Sequence, residues 1–434
     1  MQGLRLSLAA LATAAGLGMI APAAAQTLQI LSAEGDPASV AAMDFVIAEF
    51  QKDHPGVTVE YQTITWTEIG QKIVSSSAAG NPPDIVHLDD FASSVLSGQG
   101  LLEPLDDVID RIGRDDYFPV PLEAVTFDGK VWGVPFANGF NLLWYRKDLY
   151  EAAGLEAPTT WDELLHNVQT LDGLTDAGGR IYGIALALNT QNHASDTVQA
   201  FMWSNGASIM DAEGNLALDT PEAIAAYEFE KQLFAYAPPG AAQYGNLEVL
   251  NAFATGRVAH SIYPARMVGQ VLRTNPELSD KVGVVVVPKG TSDKARYAST
   301  LFTKAWGIPA GARNMDLAKD FLVFLETGER EIRWLHSVPV HFWPPRRSTA
   351  ESEAYNNDPS ISTGIAQAAA KTIIEQALPN GVPQLAEVGV VQPDSFKVLQ
   401  AHVLSKMMQK MVLGGYSTES AVGEAVDEAK SLFE

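Results

Sequence analysis

Three places in the chain set polar or charged side chains against apolar runs. Glu34 follows the run "TLQILSA", Asp89 and Asp90 end "DIVHLDD", and Asn138 and Asn141 stand among Phe136, Phe140, Trp144 and Tyr145. A carboxylate accepts hydrogen bonds through two oxygens, and an amide both donates and accepts, which is the chemistry that takes up hydroxyl groups. Two carboxylates facing one glycosidic bond could instead act as acid and base. Asp89 and Asp90 do not form such a pair alone, because adjacent side chains of an extended segment point opposite ways. A pair split between distant segments, such as Glu34 with Asp90, stays open.

Other chemistries lack their marks. The sequence contains no G-x-x-x-x-G-K-[ST], no G-x-G-x-x-G and no G-x-S-x-G, the signatures of phosphate cradles, dinucleotide sites and nucleophile elbows. Its eight His residues form no H-E-x-x-H, and His336 and His341, five apart, share neither a helix face nor a strand face. With no cysteine there are no disulfides and no thiolate metal sites. Neither metal nor cofactor is expected. The formal net charge of −23 repels nucleic acid and anionic lipid alike.

The polar residues need elements to hold them. "TLQILSA" reads as a buried strand, and residues 38–53 follow with a helical spacing of Val40, Met43, Val46, Ile47 and Phe50. Val57, Val59 and Tyr61 alternate as one face of a second strand, residues 67–79 form a second helix, and "DIVHLDD" is a third, buried-type strand. This βαβαβ order predicts an α/β fold with a mostly parallel sheet flanked by helices. Ligands of such sheets bind beyond the carboxyl ends of the strands, which is where Glu34, Asp89 and Asp90 fall. Further on, the spacing predicts helices over 160–171, 195–205 and 221–237, a strand over 181–189 and a hairpin turning at 211–214. A chain of 434 residues that is 47% hydrophobic can build two lobes without disulfides.

The first 25 residues have a separate reading. Arg5, an apolar stretch from Leu6 to Ile20, and Ala23-Ala24-Ala25 before Gln26 follow the order of a secretory signal peptide. Residues 1–25 are therefore expected to be cleaved, and without a cysteine no lipid can join the new terminus in the lipoprotein manner. A non-lipidated, monomeric protein of a Gram-negative periplasm is expected.

"AEFQKDHPGVTVEYQ", "GNPPDIVHLDD", "GKVWGVPFANGFNLLWYRKDLYEAAGLEAPTTWDEL", "AFATGRVAHSIYPAR" and "AWGIPAGARNMDLAKDFLVFL" occur in this order. Together they resemble the ABC-transporter sugar-binding proteins of the maltodextrin-binding type, over nearly the whole length after residue 25. The resemblance implies a periplasmic binding protein fold of two α/β lobes, crossed by the chain about three times and closing on one ligand. It puts 26–137 plus about 305–350 in the first lobe and 138–304 plus about 351–434 in the second, with hinges near Ala137 and Lys304. It implies a receptor that delivers a sugar or other polyhydroxylated ligand to a membrane permease, with no catalytic step. A secreted glycoside hydrolase using two carboxylates is the alternative.

The same resemblance assigns candidate ligand contacts. Glu34, Asp89, Asp90 and Trp66 would line the first lobe, and Asn138 and Asn141 would border the cleft just after the crossing. Trp203, Tyr263 and Arg266 would come from the second lobe, while Trp306 and Arg346 would follow the return crossing. Relatives often carry Trp in the stretch where Tyr263 and Arg266 stand. Arg266 and Arg346 can each pair with an anion, so an acidic sugar or an osmolyte glycoside is a further expectation.

Overall fold

The computed structural model describes residues 26–190, 192–384, 387–388 and 392–433. The expected signal peptide, 1–25, lies outside them. Strand β1 (Gln26–Ser32) pairs in parallel with β2 (Val57–Thr63) on one side and β3 (Ile85–Asp89) on the other. Helix α1 (Pro37–Asp53) joins β1 to β2 and buries Ala42, Met43, Val46 and Phe50. Its Pro37 stands in the first turn, where a missing N–H costs no helical bond. Helix α2 (Trp66–Ala78) opens on a capping box between Thr65 and Glu68. Helix α3 (Asp90–Gly98) follows β3 without a loop, because the Asp89 carboxylate accepts the Ala92 N–H at 2.6 Å and caps it.

The pivot of the molecule is β4 (Val134–Arg146), a strand of 13 residues that serves both lobes. Helix α4 (Trp161–Leu171), strand β5 (Tyr182–Ala185) and helices α5 (Asn192–Ser204), α6 (Pro221–Phe234) and α7 (Asn246–Ala254) follow. Strand β6 (Val258–Pro264), helix α8 (Met267–Thr274), strand β7 (Val282–Val285) and strand β8 (Ser299–Gly307) continue the chain. Residues 134–140 of β4 pair antiparallel with β8, whereas residues 141–146 pair with β6 and β7. The strand order is β2-β1-β3-β8-β4-β6-β5. The two sheets therefore meet along β4 and β8, and their ladder shifts register between Lys304 and Ala305, opposite Ala137 and Pro135. A proline has no N–H for a ladder, so the irregularity falls where one is missing. Gly139 keeps the strands close: a Cβ there would stand 1.9 Å from the Phe302 ring.

Helices α9 (Met315–Leu325) and α10 (Glu329–His336) return to the first lobe, where α9 and α10 pack on α1. Helix α11 (Gly364–Thr372) packs on β7, and strand β9 (Gly381–Pro383) adds to β8 in parallel. The tail helices α12 (Pro393–Gln400), α13 (Val403–Val412) and α14 (Thr418–Ser431) complete the second core together with α5 and α6. Two local expectations are corrected. The strand foreseen over 181–189 stops at Ala185, since the amides of Leu188 and Asn189 turn to the Tyr244 carbonyl instead of a ladder. The hairpin at 211–214 shrinks to one bridge, Met210 with Leu216, because the Asp211 carboxylate takes the N–H groups of Glu213 and Asn215.

Candidate ligand-binding site

Glu34 leaves β1 and turns into the seam between the lobes, where it is 1% exposed. Arg266, between β6 and α8, brings Nη2 to 2.6 Å from Glu34 Oε2, and its Nη1 bonds the Asp36 carboxylate. Lys304 of β8 places Nζ 3.3 Å from the other Glu34 oxygen. Burial alone would raise the Glu34 carboxyl, yet Arg266 and Lys304 hold it well below the usual carboxylate range. Burial lowers Lys304, and Glu34 only partly offsets this. His87 and His341 share this neighbourhood and are both lowered, first by burial and then by the nearby cations. Arg266 was expected to stack on a sugar or hold an anion; its charge is already met by two carboxylates.

The second group of acids lies beyond β3. Asp89 is spent as the cap of α3. Asp90 is 2% exposed, and its Oδ1 has no partner among the described residues. Burial, and then the Asp89 charge, push its carboxyl well above the ordinary range. Asp196 of α5, from the second lobe, adds to that field; burial lifts its own carboxyl to about 7, although Gln384 Nε2 donates to it at 2.6 Å.

The two amides separate in role. Asn138 is tied down: it exchanges backbone bonds with Trp343 at 2.8 and 3.0 Å, and its Oδ1 accepts the Thr303 hydroxyl at 3.3 Å. Asn141 is 1% exposed, and neither its Oδ1 nor its Nδ2 has a partner among the described residues. The Thr300 hydroxyl, on the neighbouring strand β8, is likewise buried and unpaired. An unmet buried polar group costs about 1–3 kcal/mol. Asp90, Asn141 and Thr300 are three buried groups with hydrogen-bonding capacity left for a hydroxylated molecule.

A cleft of about 750 Å³ opens beside this seam, lined by Thr63, Trp66 and Glu68 of the first lobe and by Asn246, Leu247 and Glu248 of the second. Trp66 is 37% exposed, and its ring lies 4.3 Å from Lys304 Nζ and 4.5 Å from the His87 ring. Tyr263 stands behind the opposite wall, its hydroxyl bonded to Asn246 Oδ1 and its ring 5.0 Å from that of His193.

Three candidates sit elsewhere. Trp203 is wholly buried, and its Nε1 donates to Glu387 at 2.7 Å inside the second lobe. Trp306 is also wholly buried, stacked on Phe136 at 4.9 Å and one layer behind His87. Arg346 has its charge met by its own surroundings. It bonds both Glu331 oxygens and the Glu326 carbonyl, and it pairs with Asp116, all in the first lobe.

Sequence reasoning passed over His87, Lys304, His341, Asp196 and Thr300. His87 and Lys304 had a signal, since a charged or titratable residue inside an apolar strand must find a partner. Asp196 had none, because an acid on a helix reads as solvated until the neighbouring lobe covers it.

Residues 34–329, more than half of the chain, match the model of the bacterial extracellular solute-binding protein family. An Escherichia coli (strain K12) protein named as a candidate ABC transporter periplasmic-binding protein, YcjN, is 26% identical over 399 residues, covering 90% of this chain and 88% of its own. The mannitol-binding protein of Pseudomonas aeruginosa is 27% identical over 324 residues, 70% of this chain and 71% of its own. A solute-binding protein of Thermotoga lettingae, crystallised with α-D-tagatose, shares the fold at a TM-score of 0.79 and 24% identity, over 94% of this chain and all of that one. The chain belongs to the bacterial extracellular solute-binding protein family.

Proposed function

We propose that this protein is the periplasmic receptor of an ABC transporter and captures a sugar or polyol between its lobes for delivery to the membrane permease. The observation that carries this reading is the set of buried, unpaired polar groups on Asp90, Asn141 and Thr300 at the seam, beside a cleft edged by Trp66. Hydroxyls satisfy such groups, and an aromatic face covers the C–H side of a sugar. Similarity to a mannitol-binding protein supports the polyol side of the class. Among the seam and cleft candidates, Glu34, Trp66, Asp90, Asn138, Asn141, Tyr263 and Arg266 remain in the proposed site, Glu34 and Arg266 as its frame.

No chemical step is proposed. The glycosidase alternative needed Glu34 with Asp90, and Glu34 is held as a carboxylate by two cations, which leaves it neither acid nor free nucleophile. An acidic ligand loses its motive too, because Arg266 and Arg346 are each met by carboxylates. The lobes are proposed as 26–137 with about 305–350, and 138–304 with about 351–434. The mature protein is proposed to start at Gln26, without lipid and as a monomer; intact mass of periplasmic material and its sedimentation test that. Among the described residues no helix is long and apolar enough to cross a membrane. A thermal-shift screen over monosaccharides, disaccharides, oligosaccharides and polyols tests the ligand class. A true ligand at 100 times its dissociation constant adds about 2.7 kcal/mol of stability.

A further inference from the structure

The charges at the seam do not balance evenly along it. Its two cations, the half-buried Arg266 and the buried Lys304, are committed to Glu34 and Asp36. At the other end stand Asp89, Asp90 and Asp196, and among the described residues none of them has an ion pair with a Lys or Arg. Asp90 opens α3 in the first lobe, Asp196 lies on α5 in the second, and both helices pack against β8. Phe91, next to Asp90, reaches into the core that holds α5 and stacks near Phe396 at 3.8 Å. Asp196 stands three residues after His193, whose ring meets Tyr263, so these two side chains share the helix face turned to the hinge strands.

Neutral unpaired groups lie on β8 and on its neighbour β4. Asn141, opposite Pro264 on β6, and Thr300, on the stretch of β8 near α5, are 1% and 0% exposed, and their side-chain polar atoms are unpaired among the described residues. Two carboxylates whose charges act on one another, Asp90 buried and Asp196 half-buried, are costly together unless a positive charge joins them. Among the described residues no Lys or Arg pairs with Asp90 or Asp196, and Lys304, the cation that acts on Asp89, is bonded to Glu34.

Resting on the receptor reading above, we propose that the ligand is an amino sugar or amino polyol whose ammonium lies between Asp90 and Asp196, with its hydroxyls on Asn141 and Thr300. The ammonium offers three donors and no acceptor, which suits two acceptor-only carboxylates. Charge-assisted bonds of this kind are about twice as strong as neutral ones. Burial raises both carboxyls in the empty seam, and a cation between them reverses that effect.

Titration calorimetry on the full mature chain at neutral pH, with matched probes, decides the matter. The probes are glucose against glucosamine and 6-amino-6-deoxyglucose, and glucitol against glucamine, with gluconate and glucuronate as the acidic members. We expect at least one amine to bind ten times or more tighter than its neutral counterpart, and the acids to bind weakest. In Asp196→Asn that amine-to-neutral ratio should fall towards one. If that variant does not fold, Asp90→Asn provides the same ratio. Neutral members binding as well as every amine would overturn the ammonium site and leave the receptor reading standing. Failure of neutral and amine members alike, across the wider sugar and polyol screen too, would overturn both.

Discussion

The Arg266 guanidinium stands 2.6 Å from the Glu34 carboxylate, and the two residues come from segments proposed for different lobes. Nothing in the local sequence joins them; they are 232 positions apart. Their pairing binds the end of β6 to the end of β1 across the mouth of the seam, with Asp36 as a second anchor. The cluster therefore ties these two segments together electrostatically, as a clasp would.

Replacing Arg266 with Ala should loosen that clasp. Breaking one partner of a buried ion pair costs about 3–5 kcal/mol, and the low end applies because Lys304 still faces Glu34 and Arg266 is partly exposed. Urea unfolding should show the loss. Small-angle scattering of the ligand-free variant should give a larger radius of gyration than the parent; an equal radius would mean that the clasp does not set the lobe angle.

Asp90→Ala should separate ligand contact from structural support. The Asp90 Oδ1 has no partner among the described residues, and backbone N–H groups of the first helical turn offset only part of the cost of its burial, so the empty variant should melt close to the parent. Ligand affinity should drop tenfold or more, about 1.4 kcal/mol. A lower melting temperature without loss of affinity would assign Asp90 to the fold.

Trp66→Ala should weaken binding by about tenfold, about 1.4 kcal/mol, and Trp66→Phe should recover part of it, because an aromatic face is what the cleft presents. Ligand should also change the fluorescence of Trp66, which is exposed where Trp132 is half-buried and Trp144, Trp161, Trp203, Trp306, Trp334 and Trp343 are buried. Equal affinity in Trp66→Ala would place the ligand wholly in the seam.

His260 gives a pH signature unrelated to ligand. Its Nδ1 faces the Gly183 carbonyl at 2.7 Å and its Nε2 the Tyr150 hydroxyl at 2.6 Å, partners that suit a neutral ring with the proton on Nδ1. Burial lowers its pKa to about 4, against about 6.5 in the unfolded chain. Between those values the unfolded state binds more protons, so this group's contribution is intact above about pH 6.5 and is lost as pH falls towards 4. The full loss is about 3 kcal/mol. Unfolding titrations at pH 7 and 4.5 should show a smaller acid loss in His260→Gln than in the parent.

The fold was legible because its signals are local. The apolar runs at β1 and β3, the helical spacing of α1 and the capped start of α2 each lie within a short window, and the structure places each of these elements within one or two residues of its expected limits. The site was less legible, because its partners meet only after folding. Asn141 stood out as an amide in an apolar strand, and it ends up buried and unpaired. Arg266 looked like an anion ligand until Glu34 and Asp36 arrived from the other lobe. Arg346 misled for the same reason: Glu331 is 15 residues away and Asp116 is 230 away.

The central claim, a receptor that binds a polyhydroxylated ligand and returns it unchanged, is tested most directly by titration calorimetry on the mature protein, with the ligand recovered afterwards for mass spectrometry. The account predicts one saturable site per chain for a sugar or polyol of the panel, with the ligand recovered at its original mass. Cleaved product in the recovered fraction, or no binding by any sugar, amino sugar or polyol tested, would contradict it.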